Sequence, residues 1–338
     1  MRKILYVIAC AAFLCCFNFM AKADNNSGDN IERCSSTEHH EQKMQNNPEY
    51  ALEYMKTLKD RAKLVLDWSE DKAINCTNPV YVPVAVHYDF NVPAADQACL
   101  VQLAEDQIAI LNADYSGNNA SGCSSGNDGG SDACIVFVLA TQNHPGSSGL
   151  TTGDPAVTFN QYTCSTANFA VCNVAAFAGY LNIIVQSGTG VLGYSSLNGN
   201  TNTDNGVVIE ACAFGSTSVT CSSAGPNSGC GGGWNYTGGA TVTHEVGHWF
   251  GLDHTFCSDD QGGPSTGTSS CSGAGGSNCD GFSDTPDQAW SNYGCVGVSG
   301  GCPGDVTNPC GGTSTFNNFM DYLDDDCMNS FSAQQSAA

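Results

Sequence analysis

From Ala73 to Ala338 the sequence contains no lysine and no arginine, against 22 acidic residues. All ten basic residues lie at or before Lys72, and the whole chain of 338 residues carries a formal charge of -23. A surface of that sign repels phosphate backbones and anionic lipid, which excludes nucleic acid as a partner. Outside the N-terminus no apolar run is long enough to span a bilayer, so no integral membrane segment is expected. Charged residues make up only 13%, yet hydrophobic residues reach 41%, enough to bury a core and too much for a disordered chain.

The chain is rich in cysteine, with twenty residues. That number points to an oxidising compartment. The start reads as a secretory signal: Arg2 and Lys3, an apolar stretch from Ile4 to Met20, then Ala21-Lys22-Ala23 as a cleavage site. Residues 1–23 are therefore read as a signal peptide and the protein as secreted. Its removal takes away Cys10, Cys15 and Cys16 and leaves 17 cysteines, an odd number, so one lacks a partner within the chain.

Residues 24–75 differ in texture, being rich in Glu, Lys and Gln and poor in Gly. Pro48 to Trp68 has helical periodicity through Tyr50, Tyr54, Leu58, Ala62 and Val65. This stretch reads as a helical pro-segment, and Cys34 is its sole cysteine. From Cys76 to Ala338 the pattern becomes α/β. Strands are expected at 80–87, 135–140, 181–185 and 207–209 and a helix over 96–115, separated by Gly/Ser/Asn stretches at 116–131 and 187–206 read as loops. Phe331 to Ala338 reads as the start of a terminal helix, as in a sequence that continues.

Thr241 to Phe256 reads TVTHEVGHWFGLDHTF. On a helix, His244 and His248 stand four apart and face the same way, so both imidazoles can bind one metal. Glu245 lies beside them, where it can act on a metal-activated water. Gly251 can end the helix and turn the chain so that His254 returns to the same point. Three neutral imidazoles leave a fourth position open, as a catalytic zinc requires. The full pattern HExxHxxGxxH is the metzincin signature. Downstream, Asn318-Phe319-Met320-Asp321-Tyr322 fits a turn that places Met320 beneath the imidazoles and Tyr322 near the metal. The residues assign one catalytic Zn2+, held by His244, His248 and His254, with Glu245 as general base.

The sequence resembles the pappalysin-type metzincins, the family of pregnancy-associated plasma protein and of ulilysin. HEVGHWFGLDHTF (244–256), SDTPD (283–287), YGC (293–295) and NFMDYLDDDCMNSF (318–331) carry the resemblance, with Thr255 after the third ligand. It implies an α/β (α+β) metzincin fold. The upper subdomain would hold a twisted mixed sheet with backing and active-site helices, and the lower subdomain would be irregular and disulfide-rich. It implies a disulfide between Cys310 and Cys327. A second bridge would start at Cys295, with Cys257, Cys271 or Cys279 as its partner. Cys123, Cys134, Cys164, Cys172, Cys212, Cys221 and Cys230 are extra to that pattern. It implies latency through Cys34, which follows Arg33 as in the family's pre-domain element. It also implies structural Ca2+ in the loop holding Asp259, Asp260, Asp280, Asp284, Thr285 and Asp287.

The expected activity is hydrolysis of protein or peptide substrates, with a preference for basic residues next to the scissile bond. An acidic body attracts such residues and, lacking them, resists its own cleavage, whereas the pro-segment offers Arg61, Lys63 and Lys72. The alternatives are a gluzincin-type zinc hydrolase, which would use a downstream Glu in place of His254, and a non-catalytic binding or adhesion module on the same scaffold. Oligomeric state is not legible from the residues.

Overall fold

A computed structural model of the chain divides into two compact units, residues 1–30 and 31–338. The structure describes residues 32–66, 76–119, 130–160, 177–197, 206–228, 236–257, 279–289, 291–293 and 317–338. Residues 1–23, read as a signal peptide, lie outside them. No helix among the described residues is long and apolar enough to cross a membrane.

The core of the fold is a mixed sheet backed by one long helix. Strands β1 (Glu32–Cys34), β2 (Val80–Tyr88), β3 (Ile135–Leu139), β4 (Val157–Phe159), β5 (Leu181–Gln186), β6 (Val191–Ser195) and β7 (Val207–Glu210) form a seven-stranded sheet. Its order is β1-β6-β7-β5-β2-β3, with β4 also paired to β2. Only β6 and β7 run antiparallel; the other pairs are parallel. Every residue of β5 is buried, which is why LNIIVQ shows no alternation: parallel strands covered on both faces read as continuous apolar runs.

The backing helix α3 (Ala94–Tyr115) buries Leu100, Leu103, Ala104, Gln107, Ile108 and Leu111. That spacing makes one continuous face against the sheet. The active-site helix α4 (Ala240–Trp249) is buried along its whole length and packs on α3, β6 and β7. Gly251 ends it with φ +90°. Its N–H donates to His248 O and the Leu252 N–H to Gly247 O, a closure that only a left-handed residue completes cheaply. Past this point the described chain has only isolated bridges, short 3-10 turns and the terminal helix α5 (Ala333–Ala337).

The expected strands and the backing helix are present with end shifts of one or two residues. Two differences matter. Residues 187–206, read as loop, contain β6: its Gly193 and Ser195 dilute the apolar signal, and neighbours on both sides supply the pairing that propensity does not. Residues 24–75, read as a pro-segment, also contain more than the expected helix, α2 (Pro48–Leu66), because β1 and helix α1 (Ser36–Asn46) precede it. The α1 sequence STEHHEQKMQN is strongly polar, so its burial against β6 left no periodic trace.

The disulfides Cys76–Cys134 and Cys99–Cys221 anchor β2 and α3 to their neighbours. Cys257 is bonded to Cys279, which corrects the expectation that either could pair with Cys295. Cys327 and Cys212 are disulfide-bonded. Cys310, Cys271, Cys295, Cys123, Cys164, Cys172 and Cys230 lie outside the described residues, so the Cys310–Cys327 pairing stays an expectation. Cys34 is a free, buried thiol.

Candidate metal centre

Helix periodicity and the turn at Gly251 bring three imidazoles to one point. His244 Nε2 and His248 Nε2 are 3.1 Å apart, His248 and His254 3.0 Å, and His254 and His244 3.2 Å. All three residues are buried. His244 Nδ1 faces Phe319 O at 2.7 Å and His248 Nδ1 faces Leu252 O at 2.8 Å. A carbonyl only accepts, so both Nδ1 atoms carry the proton and both Nε2 atoms present bare lone pairs. Burial first, and then mutual repulsion among the rings, holds the pKa values of His244 and His254 well below the usual range. Burial brings His248 down to about 4. The rings are thus neutral and ligand-competent.

Lone pairs that converge without a proton between them repel unless a cation joins them. Nitrogens held at 2.0–2.1 Å by tetrahedral zinc stand about 3.3 Å apart, close to the spacing here. The donor set therefore fits zinc. Cys34 Sγ completes it, 3.5 Å from His248 Nε2; the four donor atoms lie within 4.8 Å of one another.

Met320 is fully buried. A Cβ added at Gly247 would stand 2.5 Å from Met320 Sδ, and one at Gly193 2.8 Å from Glu245 Cγ. The sequence reading passed over both glycines; their signal was position, one inside HEVGH and one inside LGY. The ring of Tyr322 packs edge-on against His254, with centroids 5.0 Å apart, and its hydroxyl donates to Cys34 O at 3.4 Å. Asp321 fixes the turn: its carboxylate accepts from the Tyr322, Asn292 and Gln288 side or main chains at 2.7–2.9 Å.

Glu245 has no exposed surface. Ser36 Oγ donates to its Oε2 at 2.8 Å, and the Ser195 N–H donates to the same Ser36 Oγ at 2.8 Å. Burial raises the Glu245 pKa to about 8, against the lowering effect of Ser36, Cys34 and Arg33. Burial also pushes the Cys34 thiol up, with the charge of Glu245 adding to it.

Beside this cluster Arg33 is buried in a pocket of its own. Its Nη2 lies 3.4 Å from Asp325 Oδ1 and its guanidinium stacks 4.2 Å from the Tyr236 ring centroid. Asp325 Oδ2 accepts from the N–H groups of Gly238 and Ala240 at 3.0 and 3.3 Å, so the same carboxylate caps the start of α4, where an anion is favoured. Burial raises the Asp325 pKa while Arg33 and these amides pull it back. After Lys72 the sequence offers no lysine or arginine, so the cation paired with Asp325 comes from the segment before it. From the other side of α4, Asp114 accepts from Thr243 Oγ1, Tyr115 donates to Thr243 O at 3.2 Å and Gln107 donates to Gly239 O at 3.1 Å.

Of the residues expected to hold calcium, Asp259 and Asp260 lie outside the described residues. Asp280 Oδ1 accepts from Phe282 N and Thr285 Oγ1, and Asp284 accepts from Ser332 and Gln334 at the start of α5. Among the described residues, Asp280, Asp284 and Asp287 do not form a metal-binding cluster.

The family model described as pregnancy-associated plasma protein-A matches residues 234–337. Extracellular metalloprotease 1 of Coccidioides posadasii is 38% identical over 152 residues, 42% of this chain and 48% of that protein. A Neurospora crassa extracellular metalloprotease is 44% identical over 101 residues, 30% of this chain and 28% of that protein. The chain spans less than half the length of these curated relatives. Among solved structures, mature mirolysin of Tannerella forsythia with a cleaved peptide is 30% identical, with a TM-score of 0.51, covering 77% of this chain and 90% of that chain. A promirolysin mutant from the same organism is 26% identical, with a TM-score of 0.58, covering 90% of this chain and 92% of that one. The converging histidines and these likenesses agree: the chain belongs to the M43 family of pappalysin-related, metzincin-like zinc metalloproteases.

Proposed function

We propose that the protein is a secreted endopeptidase, made as a latent precursor, that cuts proteins or peptides next to basic residues. The observation that carries this is the convergence of three bare Nε2 atoms beside a buried carboxylate, Glu245. His244, His248 and His254 would hold one zinc. A bound zinc supplies Lewis acidity to the scissile carbonyl and to the attacking water. Glu245 takes the proton from that water and passes it to the leaving amine nitrogen. Tyr322 donates its hydroxyl to the oxyanion, in place of the Cys34 carbonyl it meets here. Met320 gives the imidazoles an apolar floor. The edge of β6 binds extended substrate by strand addition.

Residues 24–75 act as the pro-segment and 76–338 as the catalytic domain. The mature-mirolysin match covers 77% of the chain and the promirolysin match 90%; the smaller share is close to that of residues 76–338. Cys34 is the latency switch, its sulfur held at the open ligand position. A divalent ion there reverses the preference for the protonated thiol that burial alone imposes. Basic specificity rests on Asp325 and Tyr236, which hold Arg33 as they would hold a substrate arginine.

The test is Glu245→Gln in the activated protein. Zinc content stays at one per chain while peptide hydrolysis falls by about 100- to 10,000-fold. Near-normal turnover would overturn the assignment of the base.

A further inference from the structure

The contacts between the pro-segment and the site are concentrated at one end of it. Arg33 meets Asp325, Cys34 the histidines, and Ser36 the carboxylate of Glu245. Strand β1 pairs in parallel with β6 through Glu32↔Val191 and Cys34↔Gly193, and the Ser35 N–H donates to Gly193 O at 3.2 Å. The hold then continues along the chain after β6. His39 donates to Ser195 O at 3.0 Å, Lys43 donates to Ser196 Oγ at 3.4 Å, and the Leu197 N–H donates to the Tyr50 hydroxyl at 3.3 Å. All of these residues lie between 32 and 50. The basic residues that invite maturation, Arg61, Lys63 and Lys72, lie after them.

We infer that residues 32–50 form a self-contained inhibitor that stays bound after the chain is cut between α2 and Cys76. The first cut therefore yields a non-covalent latent complex, and activity appears only when this segment is itself destroyed or lost. The inference rests on the proposed reading of the site, and it adds a partner and a second step of activation. Ser36 is central to it. Its hydroxyl donates to the base and accepts from the strand edge, so it withdraws Glu245 from water independently of what the Cys34 sulfur does. Even without the thiol, a bound segment would leave no exposed base. The parallel β1–β6 pairing is a hold made by backbone groups, and it does not depend on a covalent link to the body.

The experiment inserts a recognition site for an exogenous protease between Leu66 and Cys76 of the full chain. It is made in the wild type and in Glu245→Gln, which cannot trim its own fragment. After cutting, the fragment co-elutes with the body on size exclusion in both forms. Wild-type hydrolysis of an arginine-containing peptide stays below about a tenth of that reached when trypsin then removes the fragment. Trypsin suits this step because the body after Lys72 has no lysine or arginine to cut. Ser36→Ala raises the dissociation constant of the cut complex about 10-fold, the loss of a buried hydrogen bond. Separation of the fragment on cutting, with full activity at once, would overturn the inference, as would a dissociation constant unmoved by Ser36→Ala. A complex that holds while the stripped body is inert on every peptide supports this inference and sinks the proposed activity instead.

Discussion

The segment 32–66 and the body from Cys76 onward differ in charge: the segment balances six basic residues against six acidic ones, while the body carries 22 acidic residues. The segment carries Arg33, Lys43, Lys56, Lys59, Arg61 and Lys63; the body has neither lysine nor arginine. The two form an ion pair at Arg33 and Asp325, both buried and 292 residues apart in sequence. Burying a lone carboxylate is costly and a matched pair is far less so. Asp325 differs from the buried Asp114 and Asp321, which are met by hydrogen bonds from the body, in that its cation comes from residues 32–66. The contrast separates two jobs: the body supplies a fixed acidic receptor and the segment supplies a cation fitted to it.

The strongest way to break this comparison is to remove the charge of the receptor while keeping its shape. Asp325→Asn retains an oxygen for the Gly238 and Ala240 amides but loses the ion pair. In the activated protein, kcat/KM for peptides with arginine at the cut should fall about 100-fold, against a few-fold for uncharged peptides. Equal losses for both would mean that Asp325 serves α4 alone.

A smaller effect is expected from the segment side. Cys34→Ala in the uncut protein removes the sulfur from the metal position but leaves Arg33 and Ser36 in place. Basal hydrolysis should rise about 10-fold and stay below that of the stripped body. An unchanged rate would take Cys34 out of the latency mechanism.

The smallest effect lies within the body and sharpens the contrast, since it should not depend on the segment at all. Burial raises the Asp114 pKa to about 7, opposed by its bond from Thr243 and assisted by Asp325. The unfolded value is near 4, so between those limits the folded state binds more protons than the unfolded one. Stability is then greatest at the acid end of the window and falls as pH rises from about 4 to 7, by up to a few kcal/mol. Asp114→Asn should flatten that slope in thermal melts, with and without residues 32–66. An unchanged slope would assign it to other buried carboxyls such as Asp321, whose pKa burial raises to about 6.

How much of this was legible follows from the range of each interaction. His244, Glu245 and His248 lie within one helical turn, and Gly251 and His254 follow within six residues, so spacing alone could place them. Met320 and Tyr322 came from a short motif in the expected order. The long, strongly periodic α3 and the apolar β5 were equally readable. Strand β6 was legible only as edge-strand backbone around Leu192 to Tyr194 inside a stretch read as loop, because two of its five residues, Gly193 and Ser195, carry no strand signal. Helix α1 is polar enough to pass for solvent-exposed chain, yet it buries Ser36 and His39. Disulfide partners were open for the same reason: Cys257 meets Cys279 and Cys99 meets Cys221 only once the chain has folded.

The sequence by itself determined the chemistry of the centre, since an α-helix repeats every 3.6 residues and a glycine can turn where other residues strain. It also determined the charge of the body, which needs no fold to be counted. Only the tertiary structure decided what meets that chemistry. It placed the Ser36 hydroxyl on Glu245, Arg33 on Asp325 and Met320 against a position that tolerates no side chain. These contacts join residues tens to hundreds of positions apart, and no local rule of spacing or propensity reaches across such a distance.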